Sequence, residues 1–107
     1  MASPNVKGVT DSTFQTEVLE ANLPVVACFW ATWSGPCRQM LSIIDQVADN
    51  YVGKLKVVSI EIDDNPETTR KYGVITVPTT VVFRDGSKQT DIIGTITEDS
   101  LVRRLGF

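Results

Sequence analysis

The chain has 107 residues, the length of one domain. Hydrophobic residues at 42% and charged residues at 21% match an ordinary soluble globular protein, and a chain this long can bury roughly 65% of its unfolded surface without staples. Ten Lys and Arg against 13 Asp and Glu give a net charge of -3, with the basic residues scattered, so no basic stripe exists to hold nucleic-acid phosphates.

Val6 to Val9 can form a short first strand. Thr10, Asp11 and Ser12 are three N-cap candidates ahead of Phe14, Val18 and Ala21, which predicts a helix over Thr10 to Ala21. Pro24 breaks it. Val25 to Ala31 is a continuous apolar run, a strand buried on both faces, as in a parallel sheet covered by helices. From Ser34 the period changes: Met40, Ile43, Ile44, Val47, Ala48 and Tyr51 recur every three or four residues, a core-facing helix stripe. Leu55 to Ile62 alternates and is rich in Val and Ile, a third strand. Asn65-Pro66 reads as a cap and a first-turn proline, opening a short helix that runs to about Tyr72 and stops at Gly73. Thr79 to Arg84 is a strand, Asp85-Gly86 a hairpin turn, and Lys88 to Ile93 the returning strand. Thr97 caps a last helix, with Glu98 and Asp99 in its first turn and Arg103 and Arg104 near its end. Strands alternating with helices imply right-handed parallel crossovers, and the final hairpin adds an antiparallel edge. The fold class is α/β, one domain over residues 1–107, with a mixed sheet and helices on both faces.

The absence of His excludes the Ser-His-Asp triad, the Cys-His pair and His-ligated zinc, and two Cys cannot close a structural zinc site. The longest uncharged apolar run, Leu23 to Trp33, is far short of the roughly 20 residues of a membrane span. Met1 to Gly8 has no apolar stretch, so no uncleaved signal peptide is expected, and a removed transit peptide would leave no trace. Two Cys without a secretory context point to a reducing compartment and free or redox-active thiols.

The chemistry concentrates in Phe29-Trp30-Ala31-Thr32-Trp33-Ser34-Gly35-Pro36-Cys37-Arg38, where a buried strand ends and a long helix begins. Free backbone N–H groups and the positive end of the helix dipole stabilise a thiolate there. The segment resembles the active-site signature of the thioredoxin family, Phe-Trp-Ala-x-Trp-Cys-Gly-Pro-Cys. The likeness continues, colinear over nearly the whole chain, in Asp63-Asp64-Asn65-Pro66, in Tyr72-Gly73-Val74-Ile75-Thr76-Val77-Pro78-Thr79, in Phe83-Arg84-Asp85-Gly86 and in Ile93-Gly94. It is nearest to the bacterial and chloroplast m-type members.

The resemblance implies a thioredoxin fold and reduction of client disulfides. The first Cys attacks as a thiolate and the second resolves the mixed disulfide. A thioredoxin reductase, flavin- or ferredoxin-dependent, would restore the pair. The resemblance further implies a cis bond before Pro78, a docking surface of Trp33, Gly35, Pro36, Val77, Pro78 and Gly94, no metal and no organic cofactor, a monomer, and residence in a bacterial cytoplasm or plastid stroma. Cys37 takes the place of the resolving thiol.

Two positions depart from the family pattern. Ser34 occupies the seat of the attacking Cys; a serine hydroxyl is hardly ionised near neutral pH and no His can act as its base, so the dithiol cycle is expected to fail. Cys28 stands where the family carries a buried Asp that assists proton transfer to the second Cys, and Ser59 stands where its accompanying Lys is usual. Ser34 is either a substitution made to silence the thiol or the mark of a natural redox-impaired paralogue, a non-catalytic binding module on the same fold.

Each of these residues also has a plainer role. Ser34 is a good helix N-cap, Cys37 can be an inert buried thiol, and Cys28 can be core filling. Cys28 and Cys37 can also be spatial neighbours forming a buried pair. Trp30 reads as packing, Trp33 as exposed at the site, Pro78 also fits an ordinary strand start, and Asp63 and Asp64 read as an exposed loop with too few ligands for Ca²⁺.

Overall fold

In the computed structural model, which describes residues 3–107, five strands form one sheet in the order β1-β3-β2-β4-β5. They are β1 (Val6–Gly8), β2 (Val25–Trp30), β3 (Lys56–Glu61), β4 (Thr79–Arg84) and β5 (Ser87–Ile93). The helices are α1 (Gly35–Asn50), α2 (Pro66–Lys71) and α3 (Glu98–Arg104). β1 and β2 flank β3 in parallel, β4 runs antiparallel to β2, and β5 antiparallel to β4. The thioredoxin fold and the mixed sheet covered on both faces are therefore present.

The period-2 alternation of β2 explains the two-sided core. Val26 and Cys28 point to one layer, shared with Met40, Ile44 and Val47 of α1 and Leu101 and Leu105 at α3. Val25, Ala27 and Phe29 point to the other, with Phe14, Val18, Val58, Ile60, Val81 and Phe83. Thus β2 is buried on both sides along Val25 to Phe29, as its unbroken apolar run requires.

Two expectations are corrected. The first concerns Thr10 to Ala21. In place of an α-helix the chain forms turns and a π-helical segment, Gln15–Leu19, in which Glu20 N–H donates to the Gln15 carbonyl at 3.0 Å. Thr10, Ser12, Thr13, Thr16 and Val18 have little intrinsic helix preference, so burial of Phe14 and Val18 against the sheet sets the local path. The second concerns the crossovers. The connection from β3 through α2 re-enters the sheet antiparallel to its neighbour β2. A six-residue helix rises about 9 Å, roughly half the length of a six-residue strand, so it does not carry the chain back across the sheet.

The caps are also tertiary. Asn65 precedes Pro66, as its sequence position implies, but its side chain does not cap α2. Its Oδ1 accepts the Asp11 N–H at 2.9 Å and its Nδ2 donates to the Glu61 carbonyl at 2.8 Å. Asp11, 54 residues earlier, caps α2 instead, accepting from Glu67 N–H at 3.2 Å and Thr68 N–H at 2.9 Å. Thr97 caps α3 as its sequence predicts, accepting from Ser100 N–H at 3.1 Å. Burial raises the Asp11 pKa, but the hydrogen bonds from Thr68 and Glu67 outweigh it, and Arg70 adds to them, leaving the carboxyl below its ordinary value. Hydrogen bonds from Lys56 and Lys7 lower Glu17, and those from Ser3 and Asn5 lower Asp49. Folded pKa values below the unfolded ones give stability that is present above the ordinary values of 3.8 and 4.5 and lost as pH falls through the folded ones. Asp11→Ala is expected to cost roughly 1 kcal/mol at pH 7, measured by urea denaturation, and to flatten the acid limb of a pH-stability profile. An unchanged midpoint would rule out this cap.

Candidate functional site at the carboxyl end of the second strand

β2 ends at Trp30, and α1 begins at Gly35. Ser34 is the N-cap residue, with extended backbone angles (φ -100, ψ 115), and Pro36 falls in the first turn, where its missing N–H costs nothing. Ser34 holds the cap position but not the cap bond: its hydroxyl accepts no backbone N–H of the helix, and the residue is only 7% exposed. Gly35 and Pro36 are exposed. Cys37, only 1% exposed, lies one turn before Met40 on the face of α1 turned to the sheet.

The sheet register gathers the other predicted residues at the same end. Thr79 pairs with Phe29 on one side and Ile93 on the other. Pro78 and Gly94, the chain neighbours of that row, therefore lie beside the segment that leaves β2 toward Ser34. Val77–Pro78 is a cis peptide bond. Gly94 N–H donates to the Pro78 carbonyl at 2.8 Å, and Gly94 adopts φ +87, a conformation that favours glycine. The Thr79 hydroxyl donates to the Thr76 carbonyl at 2.7 Å, which closes the turn at the carboxyl end of the 72–78 loop. Pro78 is buried while Val77 is half-buried.

This end of the sheet presents large apolar side chains to solvent. Trp33 is 68% exposed, Ile75 95% and Ile93 71%. The two isoleucines add to the surface expected from the sequence. The pair Ile92-Ile93 carried a signal: adjacent strand residues face opposite sides, so one had to point outward. Trp33 is held in place, its indole Nε1–H donating to Asp63 Oδ2 at 3.0 Å. Asp63, read from sequence as a simple exposed loop residue, thus has a positioning contact. Trp30 is half-buried and lines two crevices rather than filling the core.

Behind the site, Cys28 faces α1 with its neighbours in register, Ser59 of β3 and Thr80 of β4. Both cysteines are free thiols. Burial, and after it the nearby Cys37, push the Cys28 thiol up to about 12, with a contact from the Thr80 hydroxyl opposing them. Cys28 is therefore a neutral thiol at physiological pH and accepts no proton there. Since its folded pKa lies above the ordinary 9.0, the stability it contributes is complete below pH 9 and is lost as pH rises toward 12. Thermal unfolding from pH 8 to 11 is expected to show a steeper alkaline decline for this chain than for Cys28→Ala; equal slopes would contradict this environment. Both thiols are also expected to resist iodoacetamide in the native state and to react fully in guanidinium, read by intact mass.

Among the described residues no group of three or more Cys, Asp or Glu is placed to hold a metal, and no helix is long and apolar enough to cross a membrane.

The thioredoxin family profile matches residues 5–106. Thioredoxin 1 of Nostoc sp. is 41% identical over 91% of this chain and 91% of its own. The thioredoxin of Pseudomonas aeruginosa is 40% identical over 92% of each chain. Thioredoxin M4, chloroplastic, of Arabidopsis thaliana is 40% identical over 97% of this chain and 54% of its own length. With a strand-to-helix junction bearing Ser34 and Cys37 beside a cis-Pro78 loop, and with these similarities spanning almost its full length, the chain belongs to the thioredoxin family.

Proposed function

We propose that the chain is a thioredoxin-type protein thiol-disulfide oxidoreductase, one domain throughout and a monomer, in which serine occupies the seat of the nucleophile. The observation that carries this reading is the placement of position 34 at the N-cap of a 16-residue helix and of Cys37 one turn inside it. Cis-Pro78 and exposed Trp33 lie at the same end of the sheet. Trp33, Gly35, Pro36, Val77, Pro78 and Gly94 form the docking surface for an oxidised client protein. The partner that returns electrons is a thioredoxin reductase, flavin- or ferredoxin-dependent, and the setting is a bacterial cytoplasm or plastid stroma. No cofactor takes part.

The chemistry needs a thiolate at position 34. It attacks the client disulfide, one client sulfur leaves as thiol, and the second thiol displaces the other while the active-site disulfide forms. Ser34 supplies no thiolate, and a disulfide between positions 34 and 37 cannot form. Cys37, 1% exposed, is poorly placed to attack alone. Cys28 occupies the proton-transfer position and stays neutral there. This chain is therefore inactive or strongly impaired in dithiol turnover.

A second reading, a non-catalytic binding module, is favoured by the two departures acting together. The apolar surface around Trp33, Ile75 and Ile93 is available for docking whether or not electrons move. Reduction of insulin disulfides by dithiothreitol separates the two readings. Turnover regained in Ser34→Cys supports a reductase with its nucleophile removed; background rates in both proteins support the module.

A further inference from the structure

A crevice of about 450 Å³ lies between α1 and the β1-β3 edge of the sheet, away from the Trp33 surface. Its floor is Ser59, whose small side chain faces α1 in register with Cys28 and leaves the space beneath the helix open. Val6, Trp30 and Leu41 give it apolar walls. Two charges of opposite sign line it, Arg38 and Asp45. Seven residues apart on a regular helix, they share one face and lie roughly 10 Å apart along its axis. Among the described residues Arg38 forms no ion pair. Asp45 uses one oxygen, Oδ1, to accept the Ser3 N–H at 3.1 Å, and among the described residues its second oxygen has no hydrogen-bond partner.

We propose that this crevice binds a short zwitterionic peptide of about three residues, its carboxylate on Arg38, its ammonium on Asp45 and its central side chain against Trp30 and Leu41. A short peptide suits the crevice because its two charged ends match the two lining charges, which stand two turns apart on one face of α1. The volume falls in the range of small-ligand sites, and a guanidinium presents the paired donors a carboxylate takes best. The site is separate from the Ser34 chemistry and does not depend on it.

The test is a titration of the ¹⁵N-labelled chain with Gly-Phe-Gly, followed by amide and indole shifts. The free tripeptide is expected to move Val6, Leu41, Ser59 and the Trp30 indole. Acetylating its amino end or amidating its carboxyl end should each weaken binding about threefold, the scale of one partly exposed charge pair. Arg38→Gln should make amidation silent, Asp45→Asn should make acetylation silent, and Ser59→Leu, which fills the floor, should remove the shifts. Circular dichroism checks that each variant is folded. The proposal is overturned by the absence of crevice shifts up to the peptide's solubility, by affinity indifferent to both end groups, or by shifts confined to Trp33, Val77 and Gly94.

Discussion

Ser34→Cys is expected to raise dithiothreitol-driven insulin reduction by on the order of a hundredfold or more over this chain, the scale on which removal of a covalent nucleophile silences an enzyme. The site around position 34 is otherwise assembled. Its helix supplies the positive end of a 16-residue dipole, Cys37 lies one turn along, and Pro78 and Gly94 are joined by a 2.8 Å hydrogen bond beside it. The limit on the recovered rate is Cys28. A thiol pushed up to about 12 cannot take a proton from Cys37 near neutrality, so resolution of the mixed disulfide should be slow and should quicken with pH. Adding Cys28→Asp to Ser34→Cys should raise the rate at pH 7 and flatten that pH dependence, at a cost in stability because the position is fully buried. A Ser34→Cys protein at background would assign the defect to the buried site and favour the binding module.

Phe83→Ala is expected to lower stability by about 3–5 kcal/mol, against a total of about 5–15 kcal/mol for a domain of this size. That corresponds to a fall in Tm of roughly 15–25 °C by calorimetry. Phe83 is 1% exposed and stands edge-on to Tyr72, with centroids 5.1 Å apart at 86°, and to Phe14, 5.6 Å apart at 74°. Phe14 and Tyr72 themselves meet at 5.4 Å. One ring therefore joins β4 to the π-helical segment and to the end of α2. Truncation opens a cavity and takes one edge-on neighbour from each partner ring. Phe83→Leu, which keeps most of the volume, should cost less than half as much. Equal losses for the two variants would show that the ring contacts, and not the buried volume, carry the effect. Because β4 starts at Thr79, directly after Pro78, the Ala variant should also loosen the docking loop, visible as faster hydrogen exchange at Gly94 N–H.

Much of this protein was decided locally. The apolar run of β2, the three-and-four spacing of α1 and the Asp85-Gly86 turn each act through neighbours a few residues away, so their elements appear where the chain predicts them. The strand-to-helix junction carrying Ser34 and Cys37 is legible for the same reason, since the end of a buried strand and the start of an amphipathic helix are both written in periodicity. The absence of His and of a second thiol at position 34 bounds the chemistry without any coordinates.

What the chain alone did not decide are the features made by residues distant in sequence. Asp11 caps α2, although Asn65 holds the cap position, because the sheet brings the Thr10–Thr13 turn against that helix. The segment after Thr10 winds as a π-helix because burial of Phe14 and Val18 outweighs its weak local preference. Trp33 is anchored by Asp63, 30 residues away, and Ile93 joins the exposed surface only through the pairing of β4 with β5. The state of Cys28 is likewise tertiary. Its identity is in the sequence, but its high pKa comes from exclusion of water by α1 and from the thiol of Cys37 beside it, and neither exists until helix and sheet pack.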